Sequence, residues 1–129
     1  MNDLVYEIQS KIKSKILLNY DMGKSTWFRT GGKAKGYVNI NNLKDLKTIV
    51  SYKDKIKYSI IGVGSNTLVR DSGYDGLIIK LGKNFNKIKI NKDVLSVGAG
   101  VLDINLAKFA LKNSIKDFEF FIGIPGTIG

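Results

Sequence analysis

The stretch Tyr58-Ser59-Ile60-Ile61-Gly62-Val63-Gly64-Ser65-Asn66-Thr67-Leu68-Val69-Arg70-Asp71-Ser72-Gly73 decides how this chain of 129 residues is read. An apolar strand, Tyr58 to Ile61, feeds a loop in which two glycines flank a valine, and Ser65 and Asn66 follow directly. Glycine permits positive φ and lets a ligand approach the backbone closely. A turn of that kind can aim several N–H groups into one concavity, which suits a pyrophosphate. Gly-x-Gly is also a common turn, and alone it is weak evidence for any ligand. Position 67 is Thr and no helical pattern follows, so the G-x-G-x-x-G dinucleotide fingerprint is absent. A strand–loop–strand phosphate site fits this spacing; a site at a helix N-terminus does not.

Outward from this loop, strands and helices mix. Leu4, Ile8, Ile12 and Ile16 share one helical face, with Asn2 or Asp3 as cap, which predicts a helix over residues 1–18. Residues 20–33 read as irregular, 34–40 as a strand, and 42–52 as a helix with Leu43, Leu46, Ile49 and Val50 inward. Leu77–Leu81, Phe85–Ile90 and Val94–Val97 are further short strands. Asp103–Lys112 is a helix with Leu102, Leu106, Phe109 and Ala110 on one side and Asn113 at its end. The expected class is α+β. No repeat or low-complexity tract interrupts it.

Composition excludes several function classes. There is no cysteine and no histidine, so no disulfide, no thiolate or imidazole metal ligand and no histidine base is available. No apolar run reaches the ~18 residues of a membrane span, and the start Met1-Asn2-Asp3 lacks a secretory pattern. The net charge of +10 raises nucleic-acid binding. Against it, the lysines are dispersed and only Arg29 and Arg70 are arginine, the usual bidentate reader of phosphates and bases. A basic surface still favours an anionic cofactor or substrate.

Four further segments stand out. Arg29-Thr30-Gly31-Gly32 sets a guanidinium before a double glycine, and in isolation it reads as a surface turn. Trp27-Phe28 reads as core packing rather than a stacking platform, and Asp71 as one half of a fold-holding ion pair. Gly98-Ala99-Gly100 reads as a tight connection. Gly123-Ile124-Pro125-Gly126-Thr127-Ile128-Gly129 is a second glycine loop, equally open to a structural and a ligand-binding reading.

Taken in order and spacing, four motifs resemble the UDP-N-acetylenolpyruvoylglucosamine reductase (MurB) family. They are Trp27 to Ala34, Gly62 to Val69, Asp71 to Gly76 and Gly123 to Gly129, and the likeness covers nearly everything from residue 19 on. The resemblance implies part of an FAD-binding domain of the vanillyl-alcohol-oxidase (PCMH) type. Its first subdomain would lie at about 19–82 and the start of a second at about 83–129. The implied pyrophosphate loop is Gly62, Val63, Gly64, Ser65, Asn66 and Thr67. The implied loop near the flavin ring and ribitol comprises Gly123, Ile124, Pro125, Gly126, Thr127 and Gly129.

Family members reduce FAD with NADPH, and with no His or Cys in this span the FAD is expected to be non-covalent here. The flavin then passes hydride to the enolpyruvyl double bond of a UDP-sugar, a cytoplasmic step of peptidoglycan synthesis. A serine delivers the proton, and an arginine and a glutamate stabilise the intermediate. These three groups lie beyond the region matched here, so no residue of this chain is expected to be catalytic, and the chain reads as an N-terminal fragment. No nucleic-acid or membrane partner is expected. Another FAD oxidoreductase of the same fold, or an interaction module without flavin, remains open. Residues 83–129 are expected to be less stable than the first part, with the terminal glycine loop unfixed.

Overall fold

The first helix is shorter than its periodicity suggests, and the reason is a single buried carboxylate. The computed structural model describes residues 2–129, the side chain of Asn2 excepted. Helix α1 spans Asn2–Lys11 and ends where Asp45 captures the following backbone. Asp45 Oδ2 accepts from Lys13 N–H (3.1 Å), Ser14 N–H (2.7 Å) and the Ser14 hydroxyl (2.7 Å). Ile16 N–H then donates to Gln9 Oε1 at 2.7 Å. The expected helix over 1–18 is therefore corrected. Ile12 and Ile16 are buried as anticipated, one in the connection and the other as the first residue of strand β1 (Ile16–Asp21). Tyr20 and Asp21, read as irregular, also belong to β1.

Strand β2 (Lys33–Ile40) pairs antiparallel with β1. Helix α2 (Leu43–Val50) carries the chain across to β3 (Tyr58–Ile61), and Asn42 caps it by accepting from Asp45 N–H. Ile49 is fully buried on α2, whereas Leu43, expected inward, is 55% exposed because it opens the helix beside its cap. Strand β4 (Tyr74–Leu81) runs parallel to both β2 and β3, giving the sheet order β1-β2-β4-β3.

Alternation along the strands divides the sheet into two faces. Val38, Ile40, Leu77 and Ile79 are fully buried on one. Tyr37 and Ile78 lie on the other, in a cluster with Met22, Ala34 and Ile61.

Residues Gly82–Gly129 form a second compact unit by themselves, the first ending at Leu81. A short 3₁₀ turn Lys83–Phe85 precedes β5 (Ile88–Asn91), which pairs antiparallel with β6 (Val94–Val97). The expected strand Phe85–Ile90 thus begins later. Phe85 instead offers its carbonyl to Gly100 N–H (3.0 Å), while Lys87 O accepts from Gly98 N–H (2.8 Å), which makes Gly98–Gly100 the tight connection anticipated. Helix α3 spans Asp103–Lys112, with Leu106, Ala107 and Ala110 buried. A 3₁₀ turn Glu119–Gly123 follows, with Phe121 stacked on Phe118 and Phe120.

Burial alone would raise the Asp45 pKa, but the hydrogen bonds from Ser14, Asn42 and Lys13 outweigh it and hold it below 3.8. A depressed carboxylate stabilises the fold above its unfolded pKa, and that stability disappears as pH falls through the folded value. Asp45→Asn should cost about 1–3 kcal/mol at neutral pH, since a charged acceptor of several buried donors is lost. Urea unfolding should show the gap between parent and variant narrowing below pH ~4. A gap that persists unchanged into strong acid would contradict this role.

Candidate functional site

Strands β3 and β4 are parallel, so residues 62–73 must carry the chain from the carboxyl end of one back to the amino end of the other. This topology sets the Gly62–Asn66 loop at the carboxyl ends of parallel strands, where open sheets of this kind bind ligands.

One backbone contact fixes the loop. Gly64 is buried with φ +68°, and its carbonyl accepts from Trp27 N–H at 2.9 Å. A Cβ at Gly64 would overlap the Ser25 carbonyl oxygen and come within 3.0 Å of Thr26 Cα. Gly64 is thus glycine because its φ is positive, as the turn reading expected, and because another stretch of this chain lies against it. Ser25 is anchored in turn by the Tyr20 hydroxyl, 3.0 Å from its Oγ, and Tyr20 stacks on Tyr37 with ring centroids 4.1 Å apart. Burial raises the Tyr37 pKa, and a hydrogen bond with Ser25 partly opposes that.

Residues 26–29 form a turn closed by Arg29 N–H donating to Thr26 O at 3.2 Å. Its corners are Trp27 and Phe28, 62% and 55% exposed, so the core role expected for them is overturned within the first unit. Arg29 has φ +53°, a region that costs a non-glycine residue on the order of 1–2 kcal/mol. The double glycine after it faces the chain rather than a ligand: Gly32 N–H donates to Arg70 O at 3.0 Å. Among the described residues the ion pairs are Glu7–Lys11 and Lys35–Asp75, so the ion pair expected of Asp71 is not formed.

Beside the loop lies a cavity of about 790 Å³ lined by Val63, Asp21, Ser25, Thr26, Trp27 and the cations Lys24, Arg29 and Lys80. Thr26 Oγ1 in its wall is buried and has no hydrogen-bond partner among the described residues. Thr67 faces a different cavity of about 620 Å³, with Ile60, Leu68 and Tyr74. Of the expected pyrophosphate residues, Val63 and Thr67 therefore sit on separate hollows, and Ser65 and Asn66 form the turn between them.

In the second unit, Gly126 to Gly129 are held rather than loose. Gly126 O accepts from Asp103 N–H (3.2 Å), Ile128 N–H donates to Val101 O (2.9 Å), and Gly129 N–H to Ala99 O (2.9 Å). Thr127 forms an antiparallel bridge with Leu102. The expectation of an unfixed terminal loop is corrected for these residues, because the turn before α3 supplies the missing partner strand. Gly123, Ile124 and Pro125 remain exposed.

Residues 34–129 match the FAD binding domain family. This chain belongs to that family. Its α+β architecture agrees with the fold expected from the four motifs. It is 46% identical over 127 residues to a UDP-N-acetylenolpyruvoylglucosamine reductase from Pelagibacter ubique (strain HTCC1062), covering 97% of this chain and 42% of that protein. A protein of the same name from Rickettsia prowazekii (strain Madrid E) is 43% identical, covering 92% of this chain and 40% of its own length. The crystal structure of UDP-N-acetylenolpyruvylglucosamine reductase (MurB) from Thermus caldophilus superposes with a TM-score of 0.69 at 26% identity, covering 91% of this chain and 40% of that one. The chain therefore spans about two fifths of the length of these relatives. The first unit fits a dinucleotide cofactor: a glycine loop at the strand ends, unpaired cations beside it and an unmet buried hydroxyl. Among the described residues no helix is long and apolar enough to cross a membrane, and no acidic cluster could hold a metal ion.

Two glycine substitutions separate scaffold from surface. Gly64→Ala should destabilise the fold by about 1–3 kcal/mol or more, through strain and collision with the Ser25 backbone. Gly123→Ala meets nothing within 4 Å and should stay within about 0.5 kcal/mol of the parent. Thermal unfolding of both decides the matter; equal stability would refute the packing role of Gly64.

Proposed function

We propose that this chain forms the FAD-holding part of a UDP-N-acetylenolpyruvoylglucosamine reductase of peptidoglycan synthesis, working in the cytoplasm with NADPH as reductant. The observation that carries this reading is the Gly62–Asn66 loop at the carboxyl end of β3, inside a chain that belongs to the FAD binding domain family.

When bound, FAD supplies hydride transfer from NADPH to the enolpyruvyl double bond of a UDP-linked sugar. The residues of this chain bind and orient. Backbone N–H groups of Gly62, Val63 and Gly64 and the side chains of Ser65 and Asn66 hold the diphosphate, with Thr67 closing the loop. Gly123, Ile124, Pro125, Gly126, Thr127 and Gly129 take the ring and ribitol end. Residues 19–82 and 83–129 are the corresponding subdomains. With no His or Cys in these 129 residues, no histidyl or cysteinyl flavin bond can form to this chain, which should hold the cofactor non-covalently. We assign the proton donor and the charged stabilisers to residues outside this chain, which spans 42% of the length of its Pelagibacter ubique relative. Residues 1–129 alone should therefore bind FAD without reducing the enolpyruvyl group of the UDP-sugar at the expense of NADPH.

Equilibrium dialysis with FAD, followed at the flavin absorbance, tests the reading. Ser65→Ala should weaken binding about fivefold, the loss of one hydrogen bond worth ~1 kcal/mol. Denaturation should release all flavin from the polypeptide. Absence of binding, or colour that stays with the denatured chain, would contradict the assignment.

A further inference from the structure

The glycine loop leaves unexplained the cavity beside it. Lys24, Arg29 and Lys80 line it against the single carboxylate of Asp21, and none of the three cations has an ion-pair partner among the described residues. Like charges gathered around a hollow concentrate an anion there. Lys80 sits one residue from the carboxyl end of β4 and Val63 just beyond that of β3, so the cavity shares the strand-end location of the loop.

Its rim carries an indole held at the corner of a closed turn. Trp27 is tied through its own N–H to Gly64 O and flanked by the Thr26–Arg29 hydrogen bond, yet its ring is mostly exposed. An exposed indole on a fixed backbone is a stacking surface for a planar heterocycle. Arg29 sustains a left-handed backbone conformation, a form of strain that gathers at binding sites. Buried hydroxyls are ordinarily bonded, so the unpartnered Thr26 Oγ1 marks a place where an arriving acceptor has a use.

We propose that this cavity binds an adenosine diphosphate group, with phosphoryl oxygens on Arg29, Lys24 and Lys80 and the adenine against Trp27. The inference rests on the dinucleotide reading above and assigns residues to it outside the glycine loops. The group has two possible sources, the ADP half of FAD itself or a separate adenine nucleotide.

Trp27 is the one tryptophan of the chain, so its fluorescence reports this cavity alone. Titration with ADP should change Trp27 emission saturably, while FMN, which lacks the adenosine monophosphate half of FAD, competes poorly with ADP. Arg29→Gly removes the guanidinium yet suits the positive φ, so it should fold at least as stably as the parent and bind ADP about tenfold more weakly, the loss of a charge-assisted hydrogen bond. Lys80→Gln should act in the same direction. Displacement of bound ADP by FAD assigns the cavity to the cofactor's own ADP half; simultaneous binding assigns it to a second nucleotide. FAD binding in dialysis with no ADP response of Trp27 and no effect of Arg29→Gly would overturn this inference and leave the FAD reading standing. An ADP response without FAD binding would do the reverse.

Discussion

The contact between Gly64 and the Ser25–Thr26 backbone is the constraint on which the first unit's site depends. It ties the loop after β3 to the segment after β1, two stretches far apart in sequence. Because Gly64 has no side chain, the Trp27 N–H reaches its carbonyl. The turn that follows is then oriented, and its indole and guanidinium are placed beside Val63. Ser25, between Tyr20 and Tyr37, hands the same constraint down to the sheet. Function here rests on backbone packing that the ligand-facing residues inherit.

The sheet sets the frame for that contact. A parallel β3–β4 pair obliges residues 62–73 to return to the amino end of β4, with Val69 packed on the cluster of Met22, Tyr37 and Ile78, and the loop begins at the carboxyl end for that reason. Behind it, Asp45 gathers the end of α1 and the start of α2 through hydrogen bonds to a charged acceptor. In the second unit, the turn at Ala99–Asp103 pairs with Gly126–Gly129 and gives the last glycine loop a defined backbone.

Much of this was legible in the residues. Tyr58–Ile61, Val94–Val97 and Asp103–Lys112 carry clean local patterns, and the structure gives them the expected bounds. The failures have local causes. Ile12 and Ile16 continue a helical period by coincidence, and a carboxylate distant in sequence ends the helix before them. Leu43 is apolar but stands at a helix start, where the cap turns it outward. Trp27 and Phe28 look like core by composition, and nothing in their neighbours reveals that they are turn corners. For the site, glycine spacing located the loop. The cations around it come from two segments distant in sequence, the β1–β2 connection and β4, and only the fold brings Lys24 and Arg29 to one cavity with Lys80.

The central claim is that the Gly62–Asn66 backbone holds the diphosphate of FAD. Amide chemical-shift mapping of isotope-labelled chain on addition of FAD tests it most directly. The account predicts the largest perturbations at Gly62, Val63, Gly64, Ser65 and Asn66, reproduced in part by inorganic pyrophosphate. Saturable FAD binding that leaves these amides unmoved, with the shifts confined to other segments, would contradict it.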